Sequence, residues 1–508
     1  MLDLVIHGGT LVDGTGAPGG RADLGLERGR IAALGDLSAA EARQRLGASG
    51  RVVAPGFIDL HTHCGFDTKH SPQGANMNYL RQGVTTVVGG NCGFGPVDFQ
   101  AMLKSLDGAK DGPNLAMMIG HNSVRQQVLR DDDRPPTPEE LQTMKRLVEA
   151  AMDHGAIGFS SGLYYVPGCY SRTDEVTALA KAAAAYGGFY STHMRTESDE
   201  VTMALQEAIA IGRGSGLPVE ISHHKVAGVT NWGRSEATLA LMAQARREGT
   251  DVTPDQYPYT ASCARAGTIL PRWVCAGGDA AAQARLADPQ TRQTVRAAVV
   301  ARFGHVYGGD LSRIRIASSS VRPDLVGKTF ADIAAARGAT DVLADMAEFT
   351  MDLVRERPAS CDTMCIFHTM DEADVVRIMR DAATIVASDG WGVAFGAGHP
   401  HPRLYGTFPR VLGCYCRDQR LFPLEEAVRR MTAMPAARLG LRDRGVLKLG
   451  AMADVTVFDP VAVTDRATFD EPHRYADGID AVIVNGTLVL DHGTHTGALP
   501  GVFIPRPA

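Results

Sequence analysis

The sequence predicts an α/β protein: a TIM-like (β/α)8 barrel with a small β-sandwich domain made from both termini and an inserted subdomain. Short apolar runs that end in a polar or reactive residue recur about every 30 residues, which is the length of one strand, one helix and two loops. Helix-like segments separate these runs. One interval near the end of the series is much longer, and two stretches near the chain ends resemble each other.

The apolar runs predict parallel strands whose carboxyl ends meet at one face of the barrel, where reactive residues gather. In chain order they are FIDLHTH, TTVVGGNC, LAMMIGHN, IGFSSG, GGFYSTH, PVEISH, DVTPDQYPY and TIVASD, which end at His63, Cys92, Asn122, Gly162, His193, His223, Tyr259 and Asp389. We therefore expect several of these terminal side chains to lie close together.

The segments between the runs predict helices. Three of them begin at Thr173, Ser198 and Ser235 and end at a glycine, at positions 187, 214 and 249. Serine and threonine can cap the free N–H groups of a first helical turn, and glycine commonly ends the last turn. Strands that alternate with such helices predict the crossover connections of a parallel sheet.

Two further parts lie outside the repeating pattern. The interval from Tyr259 to Asp389 is roughly 100 residues too long for one crossover, which predicts an insertion at about 270–360 that covers the catalytic face. LVIHGGTLVDG (4–14) and AVIVNGTLVLDHG (481–493) resemble each other and alternate in the manner of strands. We expect residues 1–54 and 445–508 to form one β-sandwich domain and residues 55–444 to form the barrel.

Composition narrows the class of protein. The 508 residues carry 51 Lys and Arg against 57 Asp and Glu, a net charge of −6, and 44% are hydrophobic. These values argue against a disordered chain and a nucleic-acid partner. The sequence has no apolar run of about 18 residues and no basic leader before an apolar stretch, so we expect a soluble, cytoplasmic protein with no membrane partner. Nine cysteines, an odd number, predict reduced thiols.

The strand ends predict a metal site. His61 and His63 are spaced to face the same side of a strand, although such a pair alone often only packs. Cys92, His193 and His223 add a thiolate and two imidazoles at other strand ends. Imidazole together with thiolate favours zinc over magnesium or calcium.

Seven stretches make the sequence similar to the amidohydrolase superfamily and, within it, to the N-acyl-D-amino-acid deacylases (D-aminoacylases). They are PGFIDLHTH (55–63), GGNCG (89–93), STHMR (191–195), ISHHK (221–225), ASDG (387–390), HPRLYGTFPRVLG (401–413) and GVLKLGAMADVTVFDP (445–460). The first and last are shared across the superfamily. The GNCG cysteine and the HHK and HPRLYGTFPR stretches are the more specific part of the resemblance.

The resemblance implies a tight zinc site formed by Cys92, His193 and His223, and a second, weaker metal position formed by His61, His63 and the shared Cys92. Many superfamily members bridge two metals with a modified lysine at the end of strand four, where this chain reads IGFSSG. This favours the deacylase branch over the hydantoinase branch. The family often has an acidic residue close behind the second histidine, whereas residues 64–67 read CGFD here.

Asp389 fits the catalytic carboxylate of an amide hydrolase. Zinc makes hydroxide available near neutral pH and polarises the scissile carbonyl. A carboxylate within hydrogen-bond reach takes a proton from water and passes it to the departing amine. A turn or helix-cap aspartate is the structural alternative for this residue.

An N-acyl amino acid, the substrate that the resemblance implies, carries a carboxylate, and this carboxylate needs cations or hydroxyl donors. Lys225 lies on the same face as His223 if that strand continues, and the resemblance implies that Arg403 and Tyr257 contact this carboxylate. Ser262 is a further candidate for the pocket lining. A surface cation or a packed tyrosine is the structural alternative for these residues.

Other histidines are weaker candidates. His224 points to the opposite face from His223 and is expected to pack between barrel and helices. His368, His399 and His401 lie on loops near the same mouth, where structural roles are expected. His121 ends the third run and is the best additional candidate, without a specific role.

The sequence therefore predicts a zinc-dependent enzyme that hydrolyses the linear amide of a small-molecule N-acyl-D-amino acid, with the D preference resting on resemblance alone. A cyclic-amide hydrolase of the hydantoinase or dihydroorotase type is the main alternative, and the absent strand-four lysine counts against it. A metal-free barrel that serves as a scaffold is a third hypothesis.

Overall fold

The computed structural model describes residues 1–65, 76–106 and 110–507. Its strands, numbered in chain order, are β1 Leu2–His7, β2 Thr10–Leu11, β3 Gly20–Arg21, β4 Asp23–Glu27, β5 Arg30–Gly35, β6 Ala42–Gly47, β7 Val52–Pro55, β8 Phe57–Asp59, β9 Val84–Gly89, β10 Asn114–Met117, β11 Ile119–Gly120, β12 Phe159–Gly162, β13 Tyr190–His193, β14 Val219–Ile221, β15 Val252–Gln256, β16 Ser262–Arg265, β17 Ile314–Ser318, β18 Met364–Phe367, β19 Ile385–Val386, β20 Val455–Phe458, β21 Ile479–Val484, β22 Thr487–Asp491 and β23 Thr494–His495.

The α-helices, numbered in the same way, are α1 Met77–Leu80, α2 Phe99–Leu106, α3 His121–Leu129, α4 Pro138–Asp153, α5 Thr173–Ala184, α6 Val201–Ser215, α7 Ser235–Arg247, α8 Gly278–Ala287, α9 Pro289–Tyr307, α10 Phe330–Ala336, α11 Val342–Leu353, α12 Glu372–Arg380, α13 Arg403–Arg410, α14 Leu424–Met431 and α15 Ala433–Arg438. Val411–Asp418 continues α13 as a π-helix. Single 3-10 turns lie at Gly168–Tyr170, Val229–Asn231, Ala266–Ile269, Arg272–Cys275, Leu311–Arg313 and Pro323–Leu325. Within the described ranges, no helix has both the length and the apolar character that a membrane crossing requires.

All eight predicted runs contain strands, and these strands are parallel. β8, β9 and β10 pair in chain order, and β11 to β15 pair in chain order before β15 meets β19. Met118 separates β10 from β11, and at this point the third run changes its partner from β9 to β12. Thr62, just beyond β8, forms a parallel bridge with Gly390, just beyond β19. The carboxyl ends of all these strands therefore face the same way.

The three predicted helices exist as α5, α6 and α7, but the predicted caps were wrong. The residues before these helices are Arg172, Glu200 and Arg234, and none accepts a side-chain cap hydrogen bond. Ser198 instead hydrogen-bonds Thr196, so α6 begins three residues later than expected. This helix also continues through position 214 and ends before Gly216, which has a φ of 83°.

The chain ends meet in one sheet. β7 from the amino-terminal part pairs antiparallel with β20 from the carboxyl-terminal part, within a seven-stranded sheet in the order β23-β22-β21-β20-β7-β2-β3. A second sheet, in the order β5-β4-β1-β6, comes from the first 47 residues. Leu4 and Ile6 of this second sheet share a core with Val455 and Ile483 of the first.

The long interval before β19 holds a substructure with its own core. β16 and β17 flank β18 in a three-stranded antiparallel sheet, and helices α8 to α11 lie between β16 and β18 in the chain. Phe303, Phe330 and Phe349 pack together in its interior, apart from the core of the parallel strands. The excursion runs from Ser262 to Phe367, slightly wider than the predicted 270–360.

Candidate active site

Residues that follow four of the parallel strands converge on one sulfur atom. Cys92 Sγ lies 3.4 Å from His61 Nε2, 3.5 Å from His223 Nε2 and 3.8 Å from His193 Nδ1. All four side chains are buried. The strands end earlier than expected at three of these residues, since β8 ends at Asp59, β9 at Gly89 and β14 at Ile221. His193 is the last residue of β13, so it alone is placed by a strand, and the other three side chains converge through the loops that follow.

The sulfur-to-nitrogen distances match those expected in a tetrahedral zinc site. Zn–S bonds of about 2.3 Å and Zn–N bonds of about 2.0 to 2.1 Å, joined at a tetrahedral angle, separate sulfur from nitrogen by about 3.6 Å. The three distances around Cys92 bracket this value. Burial raises the pKa of the Cys92 thiol, but the imidazoles of His61 and His223 hold that pKa well below its usual range. The thiolate form that binds metal is therefore favoured.

The most compact cluster around Cys92 contains His61 where the resemblance implies His193. His61, Cys92 and His223 place one ligand atom each within 4.8 Å of one another. His193 lies slightly farther from the sulfur, and its Nε2 is 3.5 Å from a Glu197 carboxylate oxygen. His61, His63 and Asp389 form a second cluster of the same compactness. The two clusters share His61 and are contiguous.

Asp389 lies between the histidines and an arginine. Its Oδ1 is 3.0 Å from His63 Nε2 and 3.5 Å from His61 Nε2, and its Oδ2 is 2.9 Å from Arg403 Nη1. Burial raises the pKa of this carboxyl, but Arg403 and His223 hold it well below its usual range. Asp389 is therefore ionised at neutral pH and able to accept a proton.

Three of the converging residues have left-handed backbone conformations. The φ angles are 53° at Cys92, 35° at His223 and 50° at Asp389. Residues other than glycine adopt this region at a cost of about 1 kcal/mol or more, and such strain is concentrated at functional sites. The strained turns bend the chain just past the strand ends and aim the side chains inward.

The end of strand four has no room for a side chain. A Cβ atom at Gly162, the last residue of β12, would lie 2.0 Å from the carbonyl oxygen of Cys92. Gly93 is similarly confined, because a Cβ there would lie 2.1 Å from Asn122 Oδ1. The turn that carries Cys92 thus occupies the space into which a strand-four lysine would project.

Two carboxylates that the sequence analysis missed contact the Nδ1 atoms of His61 and His223, whose Nε2 atoms face Cys92. Asp255 Oδ2 lies 3.1 Å from His61 Nδ1, and Asp255 Oδ1 accepts a hydrogen bond from the His223 backbone N–H. Glu197 Oε1 lies 3.1 Å from His223 Nδ1. Such carboxylates fix the ring orientation of metal-binding histidines. Asp255 belongs to a predicted strand and could have been proposed, whereas Glu197 lies in a loop without a pattern that marks it.

Three of the predicted substrate-binding residues lie together. The Arg403 guanidinium stacks 4.6 Å from the centre of the Tyr257 ring, and Lys225 Nζ lies 5.7 Å from it. Lys225 also contacts Glu197 Oε1 and His223 Nδ1, each at 2.7 Å. Since β14 has already ended, this contact comes from the loop. Ser262, at the start of β16, is half-buried beside the same residues.

Two adjoining cavities open onto the site. The larger, of about 520 Å³, is bordered by Cys92, Asp389 and Arg403 on the side of the parallel strands and by the inserted segment on the other. The smaller, of about 80 Å³, is bordered by Lys225, Tyr257 and Ser262. The larger volume suits a small organic ligand. Residues from the excursion between β15 and β19, among them Arg265, Arg272 and Arg302, line the larger cavity opposite the strand ends.

The remaining histidines serve the fold. His224 Nε2 lies 2.9 Å from Thr238 Oγ1 on α7, in the predicted position between strands and helices. His401 Nε2 contacts the Ala261 carbonyl, and the His368 ring packs on Phe469.

His399 likewise contacts a carbonyl, that of Phe469. The prediction of His121 as a further site residue was wrong, because it is buried against Glu175 at 2.9 Å, away from both cavities. Asp67, in the stretch where the family often has an acidic residue, lies outside the described residues.

Comparison with known proteins gives consistent matches along the chain. The sequence model of the amidohydrolase family matches residues 46–490. The D-aminoacylase of Alcaligenes xylosoxydans xylosoxydans is 40% identical over 100% of this chain and 98% of that protein. The crystal structure of N-acyl-D-glutamate deacylase from Bordetella bronchiseptica, complexed with zinc and a phosphonate mimic of the tetrahedral intermediate, is 38% identical with a TM-score of 0.84, and each chain is covered to 100%.

A second solved structure concerns the metal content of a relative. It is a D-aminoacylase studied for the functional role of its binuclear metal centre, with activation by one metal and attenuation by a second. Its identity to this chain is 36%, the TM-score is 0.82, and both chains are covered to 100%.

Proposed function

Because this chain belongs to the amidohydrolase family, we propose that it hydrolyses the amide bond of N-acyl-D-amino acids and releases a carboxylate and a free D-amino acid. The observation that carries the proposal is the convergence of three imidazoles on the Cys92 sulfur, with the Asp389 carboxylate beside them at one cavity. Relatives that match over their full length are a D-aminoacylase and an N-acyl-D-glutamate deacylase, and both act on linear N-acyl amino acids.

Cys92, His193 and His223 are assigned to a tightly held zinc ion, and His61 and His63, with Cys92 shared, to a weaker second position. The sulfur-to-nitrogen distances and the thiolate state of Cys92 support the first assignment. The contiguous cluster of His61, His63 and Asp389 supports a second position beside it. When bound, zinc supplies Lewis acidity, which polarises the scissile carbonyl and lowers the pKa of water.

Asp389 is assigned the proton transfers. It takes a proton from the attacking water and delivers it to the nitrogen of the departing amine. Its ionised state and its place at the wall of the larger cavity support this role. Arg403 holds Asp389 Oδ2 and leaves Oδ1 toward the histidines.

Arg403, Lys225, Tyr257 and Ser262 are assigned to the α-carboxylate of the substrate. The buried Arg403 Nε has no hydrogen-bond partner among the described residues, so this guanidinium has a donor to spare. The tyrosine ring fixes the position of the guanidinium by stacking. Arginine binds carboxylates in a bidentate manner, which orients the amide relative to Asp389.

The same assignment extends to the fold. The eight parallel strands are proposed to close into a (β/α)8 barrel within residues 55–444, and the Thr62–Gly390 bridge supports closure. Residues 1–54 and 445–508 are assigned to one β-sandwich domain, supported by the pairing of β7 with β20. The subdomain inserted at about 270–360 is supported by the separate core around Phe303.

Purified protein supplied with zinc is expected to release amine from N-acetyl-D-amino acids at rates about 100-fold or more above those with the L-enantiomers. Ninhydrin detection of the free amino acid measures this directly, with zinc quantified in the same sample. Hydantoin and dihydroorotate are the matched ring substrates, and absorbance reports their opening. Opened rings together with no amine from any D substrate would reject the proposal in favour of a cyclic-amide hydrolase.

Glu197→Gln is expected to weaken zinc binding by about 10- to 100-fold, because the charge that orients His223 and His193 is lost. The measurement is zinc retained against a competing chelator. Glu207→Gln is the matched control, since Glu207, which lies on α6, pairs with Arg195 and borders neither cavity. Equal zinc retention in the two variants would remove Glu197 from the metal site.

A further inference from the structure

The inserted segment brings a second group of cations to the larger cavity. Arg265, Arg272 and Arg302 border it together with Arg403. Among the described residues that line this cavity, Asp389 is the one carboxylate, and it is already paired with Arg403. The wall contributed by the insertion is therefore positively charged, with no acidic side chain to balance it.

Arg302 is held by a tyrosine at the wall of this cavity. Its Nη2 donates a hydrogen bond of 2.8 Å to the Tyr164 hydroxyl, and its buried Nε has no partner in the described part of the chain. No described carboxylate lies within ion-pair distance of it. In contrast, Arg292 and Arg296 on the same helix, α9, both pair with Glu348. Arg302, which borders the cavity, thus lacks the acidic partner, among the described residues, that the other two arginines of the helix have.

Arg272 lies on the same tyrosine. Its guanidinium is 5.0 Å from the centre of the Tyr164 ring, and its Nη2 donates to the Arg195 carbonyl. It too has no carboxylate within ion-pair distance among the residues described. Tyr164 stacks on His193 with a centre-to-centre distance of 5.3 Å. One aromatic ring therefore separates the two guanidinium groups from the proposed zinc ligands.

Arg302 and Arg272 are partly buried, and a cavity lined by cations without an opposing charge attracts a ligand that supplies that charge. A rigidly held arginine with unused donors is suited to a carboxylate. The α-carboxylate of the substrate is already assigned to Lys225, Tyr257 and Arg403. The charge that complements the inserted segment must then come from another group of the ligand.

We propose that Arg302, assisted by Arg272, binds a second carboxylate of the substrate, so that this enzyme prefers N-acyl-D-amino acids that carry two carboxylates. This inference rests on the proposed function. The second carboxylate belongs either to the side chain of the amino acid, as in D-glutamate, or to the acyl group, as in a succinyl amide. Both sources present the same chemistry to Arg302.

Two matched substrate pairs test the proposal in the native zinc enzyme. N-acetyl-D-glutamate is compared with N-acetyl-D-glutamine, and N-succinyl-D-leucine is compared with N-pentanoyl-D-leucine. The charged member of at least one pair is expected to have a kcat/KM about 10- to 100-fold higher than its neutral partner. The pair that shows this preference identifies which part of the substrate carries the carboxylate.

Arg302→Met is expected to bring the charged-to-neutral ratio of that pair close to one, and Arg302→Lys to retain part of it. Arg296→Met is the control, because it removes a charge from the same helix outside the cavity and should leave the ratio unchanged. A wild-type ratio near one in both pairs, or a full ratio in folded Arg302→Met, would overturn the inference alone. If the enzyme hydrolysed none of the four substrates, both the inference and the proposed function would be rejected.

Discussion

Asp389→Asn is expected to lower kcat by about 100- to 10,000-fold while zinc remains bound. Asparagine has nearly the same shape and still presents an oxygen to Arg403, but it takes up no proton from water and delivers none to the amine. The structure favours this separation, because the sulfur and the two imidazoles assigned to the tight site do not depend on Asp389. Turnover and zinc content measured on one preparation check both parts of the expectation.

Asp465→Asn is the matched control for this variant. Asp465 also pairs with an arginine, Arg410, at 3.1 Å, and it borders neither cavity. The control is expected to keep its turnover, which separates the loss of a proton carrier from the loss of an arginine–carboxylate pair. Normal turnover of Asp389→Asn would show that another group transfers the proton.

Cys92→Ala is expected to lose zinc itself, from about one equivalent to below about 0.1, and to lose activity with it. The sulfur is the atom on which His61, His193 and His223 converge, so its removal leaves the imidazoles without their common neighbour. Cys92→Ser, which offers oxygen in place of sulfur, is expected to bind zinc more weakly than the native chain. Elemental analysis after dialysis measures the bound metal.

Cys365→Ala provides the comparison for loss of a buried thiol. Cys365 is fully buried in the core of the inserted segment, and it borders neither cavity. Its truncation is expected to lower the free energy of unfolding by about 1 kcal/mol and to leave the zinc content unchanged. Retention of a full equivalent of zinc by folded Cys92→Ala would contradict the metal assignment.

The parts of the site that the sequence predicts are those set by strand direction. Parallel strands deliver their carboxyl ends to one edge, so Cys92, His193 and Asp389 can be expected to converge without knowledge of the loops. The exact placement depends on turns that periodicity does not describe. Four site residues lie beyond the last residues of their strands: His61, Cys92, His223 and Asp389. The left-handed backbone at the last three cannot be read from the residue type.

The residues that sequence reasoning missed are brought in by tertiary packing. Glu197 reaches His223 from a loop with no periodic signal, and Arg302 reaches the cavity from α9, which lies in the excursion between the parallel strands β15 and β19. His121 shows the opposite error. It ends an apolar run as the site residues do, but it forms the first residue of α3 and is turned toward Glu175. A strand-end position is therefore informative only when the following turn directs the side chain inward.

The contact between Gly162 and the Cys92 carbonyl restricts how this scaffold can be redesigned. An engineer seeking ring-opening chemistry would place a bridging lysine at the end of the fourth strand. Its Cβ atom at position 162 would lie 2.0 Å from the Cys92 carbonyl oxygen. A longer side chain there requires the whole 90–93 turn to be rebuilt first. A lysine at position 162 is thus incompatible with this backbone at Cys92, and its introduction demands a loop replacement instead of a point mutation.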